Sequence, residues 1–578
     1  MIRTRRLWTT TFLSLVFFCF VAGRLSYLQL YCHAALQERV NKEQSRVHDS
    51  SDVPPRGAIL DRTGAVLALS IHGGGCFADP HRVQQVDETV RLLAPLLQQT
   101  PSVLKAKLIQ HKRFVWLARR LDPETAEQVK ALKRPGVTVT TDMKRFYPEE
   151  FLAAHVLGVV GDNQQGLSGV ELIAERWLSG RAVPFLFKSW SFTKTKPSAL
   201  ASRTDLAPRS VVLTLDRTLQ TIVEQELAEQ MKQSRPKSGT VIVEDPQTGE
   251  ILAMATAPSF NPNLWGSPLQ PADYGPELLN NPAVEHVFEP GSTFKVVTAA
   301  AALEEHRVTL SDSFFCENGS WDIPGRTIHD HERDGWLTFA QVISHSSNIG
   351  TAKVARRLGK DSLYRYARAF GFGMPSGCGL PGDSVGILHQ TRDWRQSSLE
   401  TVSFGQEVGA TPLQMVNAYC VIASGGWLLE PRLYKGVVDE NGQYREFAFA
   451  PPIRRVVSPR TVVLMKQILK GVVDEGTGKA AQVVGLSVAG KTGTAQKIDV
   501  KTHQYSDAHY LASFCGFAPV DRPRLVVGVF LDEPQGSYWG GSEAAPLFAR
   551  ILKHVAPYLK LQSESFGPLA TSRIVSRT

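Results

Sequence analysis

Glu289-Pro290-Gly291-Ser292-Thr293-Phe294-Lys295, running on into the alanine-rich stretch 296–303, is the segment on which the reading of this chain turns. Proline and glycine break the backbone and a strong helix former follows, so Ser292 falls where a helix begins. Residues three apart share a helix face, which lets Lys295 lean over the Ser292 hydroxyl. A serine hydroxyl is a weak nucleophile until a neighbour takes its proton. A lysine does this once burial or nearby cations lower its pKa. A capping serine followed one turn later by a solvated lysine is common, so this segment alone decides nothing.

Two more elements follow in chain order. Ser344-His345-Ser346-Ser347-Asn348 lies between the helical runs 337–343 and 350–358. Ser346 offers a hydroxyl that can relay a proton, and Asn348 an amide that can hold a substrate carbonyl; Ser and Asn also suit a plain inter-helix turn. Ala489-Gly490-Lys491-Thr492-Gly493-Thr494-Ala495 reads as a strand. There a cation and the hydroxyls of Thr492 and Thr494 can bind a carboxylate, and Gly493 leaves room for a substrate along the strand edge. A charged edge strand without function would look the same.

The surrounding pattern sets the fold class. Residues 240–244, the turn Asp245-Pro246-Gln247-Thr248-Gly249 and residues 250–255 form a strand–turn–strand unit. Strand-like runs recur at 486–497, 511–517 and 524–531, followed by a helical run at 544–559. Strands thus bracket a long helical middle, which predicts an antiparallel sheet with helices on both sides, an α/β (α+β) domain over residues 206–560. Before it, residues 31–205 read as an elongated α+β module, with a hairpin about Asp61-Arg62-Thr63-Gly64, helices at 86–94 and 123–132, and a strand at 114–118. No catalytic constellation stands out in that module. Residues 561–578 are polar and read as a flexible tail.

At 578 residues the chain is a multidomain protein, and its 43% apolar and 21% charged composition excludes wholesale disorder. A net charge of +9 without basic–aromatic clusters or zinc-finger spacing argues against nucleic-acid binding. The seven cysteines are scattered, with no CxxC, so neither a zinc site nor a disulfide framework is expected. Arg3, Arg5 and Arg6 precede the apolar run 7–23, which resumes beyond Arg24 to residue 30. Seventeen residues at about 1.5 Å each barely cross ~30 Å of hydrocarbon, and snorkelling of Arg24 lets the helix use the later stretch. The rival, a cleaved signal peptide, lacks a small-x-small site. Residues 1–6 are therefore expected in the cytoplasm, 7–30 as a single membrane anchor in contact with lipid, and the rest outside.

Ser-x-x-Lys, Ser-x-Asn and Lys-Thr-Gly-Thr in this order resemble the signature set of penicillin-binding proteins and serine β-lactamases. The resemblance spans nearly the whole chain and is closest to the class B penicillin-binding proteins. It includes Pro55-Arg56-Gly57, Arg145-Phe146-Tyr147-Pro148, Gly166-Leu167-Ser168-Gly169-Val170-Glu171, Gly405-Gln406, Thr411-Pro412-Leu413-Gln414 and Gly476-Thr477-Gly478. One departure is Glu407, where the family usually has glycine; it is read as a loop variation that leaves the chemistry intact.

The resemblance implies a division-specific, septal D,D-transpeptidase in the bacterial inner membrane, with the elongation-specific paralogue as the near alternative. It implies Ser292 as the nucleophile acylated by a peptidoglycan stem peptide, with Lys295 as base and Ser346 and Lys491 as proton shuttles. Asn348, Thr492, Gly493 and Thr494 would bind substrate, and the backbone N–H groups of Ser292 and Thr494 would form the oxyanion hole. β-Lactams would acylate the same serine. No metal or organic cofactor is implied, and the partners implied are a polytopic membrane glycan polymerase and other division proteins. A β-lactamase would need a water-activating glutamate, yet Glu277-Leu278-Leu279-Asn280 is misspaced and precedes Ser292. The rival of another class is a β-lactam sensor or non-catalytic division scaffold, which would take the label without making cross-links.

Overall fold

The protein is described here by a computed structural model covering residues 55–180, 207–498 and 504–561, apart from 111, 113 and 268. The expected anchor over 7–30 and almost all of the expected tail lie outside the described residues. No helix among the described residues is long and apolar enough to cross a membrane.

Contacts divide the described chain into two compact units, Ile71–Lys144 and Pro55–Ser70 together with Arg145 onward. In the smaller unit the helices Val86–Leu97, Pro101–Leu108 and Pro123–Ala131 accompany the strand Val115–Leu121. Leu93, Leu97, Leu104, Leu117 and Val129 form its core. The third helix starts where it does because Pro123 presets the first turn and Asp122 accepts the Thr125 N–H at 2.9 Å.

In the larger unit, three stretches far apart in sequence meet on one buried carboxylate. Glu171 accepts from Arg56 Nε at 2.6 Å and from Arg145 Nε at 2.7 Å, and its side chain is 0% exposed. Glu175 takes a second bond from Arg56, at 2.6 Å. The two guanidinium groups hold the Glu171 carboxyl below its usual pKa against the opposing pull of burial.

The rest of this unit is built on a five-stranded sheet. Its elements are α1 (Arg217–Ser234), β1 (Ser238–Glu244), β2 (Ile251–Ala257), α2 (Lys295–Glu304), α3 (Asn348–Leu358), α4 (Pro412–Ala423), α5 (Pro459–Asp474), β3 (Ala489–Ile498), β4 (Tyr505–Ala518), β5 (Leu525–Asp532) and α6 (Ala544–Tyr558). The strand order is β3-β4-β5-β1-β2, and every pairing is antiparallel. Alternation along the strands feeds two cores. Val241, Val243, Val527 and Val529 pack with α1 and α6 on one face, whereas Ile242, Val526 and Phe530 pack with α2, α4 and α5 on the other. Helices thus cover both faces, the mixed α/β layering read from the sequence, and β3 is an edge strand.

Glu244, at the end of β1, is fully buried beside the Cys420 thiol. Burial pushes its pKa up from 4.5 to about 8, a rise offset in part by the Cys420 thiol and reinforced by Asp245. A folded-state pKa above the unfolded one means stability present at low pH and lost as pH climbs from 4.5 through about 8. Glu244→Gln is therefore expected to melt higher than the parent in alkaline buffer, with the gap closing toward pH 5 or so. Parallel melting curves across that range, if they kept a constant offset, would contradict this.

Candidate active site

The segment Gly291–Phe294, which carries Ser292, forms one 3-10 turn that leads directly into α2. Gly291 takes a φ of +53°, a conformation glycine adopts without steric cost. Its N–H donates to the Gly405 carbonyl at 3.1 Å. Behind it, the Thr293 hydroxyl donates to Pro290 O at 2.7 Å and the Tyr419 hydroxyl of α4 donates to Thr293 O at 3.0 Å. Ser292 is half-buried between these fixed points. Of the N–H groups in this first turn, that of Gly291 is taken by Gly405 and that of Lys295 by Ser292 O.

Edge strand β3 lies against this turn. A Cβ on Gly493 would sit 2.4 Å from Ser513 Oγ and 2.9 Å from Thr293 Cγ2. The missing side chain lets the turn that carries Ser292 dock on the strand. Gly540 repeats the device, since a Cβ there would lie 2.3 Å from Gly493 O. Its N–H donates to Thr494 Oγ1 at 3.0 Å.

Lys295 opens α2 and is wholly buried. Its Nζ donates to Ser346 O at 2.5 Å, Asn348 Oδ1 at 2.9 Å and Ser346 Oγ at 3.2 Å. The first two motifs are therefore joined by direct hydrogen bonds, and the ammonium group faces Ser346 and Asn348 rather than bonding Ser292. Burial brings the Lys295 pKa down to about 7, with Asp330 and Cys316 pulling the other way. Ser346 takes a left-handed φ of +64°, unusual for a residue with a side chain. The adjoining Ser347 caps α3 by accepting the Gly350 N–H at 2.8 Å. Asp330 anchors this turn, accepting from Ser347 Oγ at 2.5 Å, Asn348 N at 2.5 Å and Ile349 N at 3.0 Å. The Asn348 amide nitrogen donates to His329 O at 2.8 Å.

Lys491, on β3, is also wholly buried, and its Nζ donates to Thr492 O at 3.1 Å and Thr492 Oγ1 at 3.3 Å. Burial drives its pKa well below the ordinary lysine value, and repulsion from Lys295 lowers it further. Thr492 Oγ1 shares a 2.7 Å hydrogen bond with Thr477 Oγ1, and Thr477 N donates to Ser344 O at 3.3 Å.

All eight residues singled out from the sequence therefore lie on mutually docked elements. The reading missed Asp330, Thr477 and Gly540. Thr477 fell within a quoted motif without a role. Asp330 and Gly540 carry no sequence signal, because their contacts form only when loops fold together.

Two family models match the chain: the penicillin binding protein transpeptidase domain over residues 239–553 and the penicillin-binding protein dimerisation domain over residues 51–182. The chain is 34% identical to the stage V sporulation protein D of Bacillus subtilis, an alignment covering 96% of this chain and 86% of that protein. It is 31% identical to the peptidoglycan D,D-transpeptidase FtsI of Escherichia coli, over 94% and 90% of the two chains. The crystal structure of penicillin binding protein 3 of Mycobacterium tuberculosis complexed with aztreonam superposes with a TM-score of 0.69 at 30% identity, covering 89% of this chain and all of that one. Docked motifs, matched domains and near full-length relatives agree, and the chain belongs to the class B penicillin-binding proteins.

Proposed function

We propose that the protein is a peptidoglycan D,D-transpeptidase that cross-links stem peptides during septum formation through an acyl-Ser292 intermediate, and that β-lactams inhibit it by acylating the same residue. The observation that carries this reading is the lysine in the first turn after Ser292, hydrogen-bonded to both Ser346 and Asn348 and buried beside Lys491. Similarity to FtsI of Escherichia coli along most of both chains supports the septal assignment.

In this reading Ser292 Oγ attacks the carbonyl carbon of the penultimate D-Ala while its proton passes to Lys295 Nζ. Backbone N–H groups of Ser292 and Thr494 stabilise the oxyanion, each worth about 3 kcal/mol in comparable sites. The C–N bond to the terminal D-Ala breaks as Ser346 and Lys491 shuttle that proton from Lys295 to the leaving amine. An acceptor amine then attacks the ester, gives up its proton by the reverse route and frees Ser292. Asn348 orients the donor backbone, and the Thr492 and Thr494 hydroxyls bind the terminal carboxylate. The segment over 7–30 holds this domain on the outer side of the inner membrane, where a polytopic glycan polymerase and other division proteins would supply strands.

A fluorescent penicillin should label the protein covalently, with the adduct mapping to the peptide that holds Ser292, and a pentapeptide substrate should release D-Ala as cross-links form. No label on folded protein would refute the reading, and labelling without cross-links would turn it toward a sensor. Depletion separates the two transpeptidase roles: filaments mark septation, round cells elongation.

A further inference from the structure

Glu407 occupies a place its backbone does not favour. It follows Gly405 and Gln406 at a φ of +60°, in the left-handed region where a side chain is strained. Two hydroxyls on the short helix Ser398–Ser403 hold its carboxylate: Ser398 Oγ donates to Oε2 and Thr401 Oγ1 to Oε1, both at 2.6 Å.

The turn so held lies against the segment that carries the nucleophile. At one end Phe288 and Ala410 exchange backbone hydrogen bonds of 3.0 and 2.9 Å, and at the other Gly291 N donates to Gly405 O at 3.1 Å. Between these ends the Glu407 N–H donates to the Glu289 carboxylate at 2.8 Å, and the Tyr505 hydroxyl donates to the same oxygen at 3.2 Å. Six residues, 405–410, thus span the length of four, 288–291, and the surplus is taken up at the left-handed Glu407. The fit is close: a Cβ on Gly405 would lie 2.3 Å from Gly291 O and 2.8 Å from Phe294 Cβ. A shift of the turn therefore moves the backbone on either side of Ser292.

We infer that Glu407 is a positioning residue for acylation: its carboxylate, tied to Ser398 and Thr401, locks the 405–410 turn that sets where Ser292 stands. The inference rests on Ser292 being the acylated nucleophile. Glu407 acts through Gly405, Glu289 and Gly291. A glycine takes the same backbone conformation without strain but offers no side-chain tether, so here the hold on the turn comes from the Ser398 and Thr401 hydroxyls.

Rapid-mixing kinetics of the full chain with a fluorescent penicillin give the non-covalent Kd and the first-order acylation constant separately. Glu407→Ala should lower the acylation constant about tenfold with Kd within about twofold, because misplacement by a fraction of an ångström slows chemistry more than binding. Glu407→Gln, which can still accept from one hydroxyl and donate to the other, should stay within about threefold of the parent. Thr401→Val removes one tether without touching the strained backbone and should slow acylation about threefold. Wild-type acylation in folded Glu407→Ala overturns the inference, as does a glutamine variant as slow as alanine. Should the alanine variant not fold, wild-type acylation in Thr401→Val overturns it. Absence of label on the parent would instead refute the nucleophile assignment.

Discussion

Lys295→Ala is expected to slow acylation of Ser292 by about 10³-fold while leaving the protein folded, since a positioned general base contributes roughly 10²–10⁴ in rate. Proton removal is the obstacle that a serine hydroxyl sets, and Lys295 is a buried lysine whose pKa has come down to about 7. The pH dependence follows in sign. Below about 7 the Nζ holds its proton and cannot accept another, so acylation by a neutral-pH stable β-lactam should rise with pH through about 7 and then level off. In Lys295→Ala that inflection should vanish along with the rate. The fold should tolerate the change, because a buried ammonium carries a desolvation cost and Asn348 Oδ1 and Ser346 can be satisfied by water from the cleft. Lys491 should answer in the opposite sense: without the neighbouring charge, its pKa rises toward the ordinary value. Stopped-flow acylation across this pH range checks the prediction. A folded variant that acylates at the parental rate would remove Lys295 from the role.

The sequence showed the chemistry of this site better than its geometry. Ser292, Ser346 and Lys491 could be placed on a helix start, an inter-helix turn and a strand, because glycine, proline and local periodicity mark such positions. The five strands were legible for the same reason: 240–244 and 524–531 alternate between two apolar cores, and pairing β5 with β1 closes the bracket around the helices. What local pattern does not encode is which partner a side chain meets. Lys295 was expected over Ser292, yet its hydrogen bonds run 51 and 53 residues onward to Ser346 and Asn348. Gly493 was read as room for substrate along the strand edge, and only the fold shows that the missing side chain also admits Thr293 and Ser513. Lys491 was read as a cation and a proton shuttle, and only the fold shows that it is wholly buried with a second lysine near enough to lower its pKa further. In each case the tertiary neighbours, which local pattern does not encode, set the surroundings of the side chain.

Glu171→Ala is the counterpart of the lysine substitution: it should cost about 3–5 kcal/mol of stability and leave the acylation constant almost unchanged. Glu171 is fully buried between Arg56 and Arg145, whose side chains are 2% and 1% exposed. Alanine would strand two guanidinium groups with no carboxylate between them. The surviving bonds do not replace it. Glu175 pairs with Arg56 alone, and Arg145 keeps only neutral acceptors: Gly57 O at 2.8 Å, Ser70 Oγ at 3.3 Å and Arg56 O at 3.4 Å. Breaking such a cluster is far costlier than never having built it, because the charges stay behind after the pairing is gone. Glu171→Gln should recover only part of the loss, since an amide supplies one acceptor oxygen where two charged donors converge. None of these residues hydrogen-bonds to Ser292, Lys295, Ser346 or Lys491, so protein kept cold should still take a penicillin label at the parental rate. Urea unfolding read alongside labelling gives both quantities. Unchanged unfolding would show that the cluster is dispensable to the fold, and slowed labelling in the still-folded variant would show that it reaches the catalytic serine.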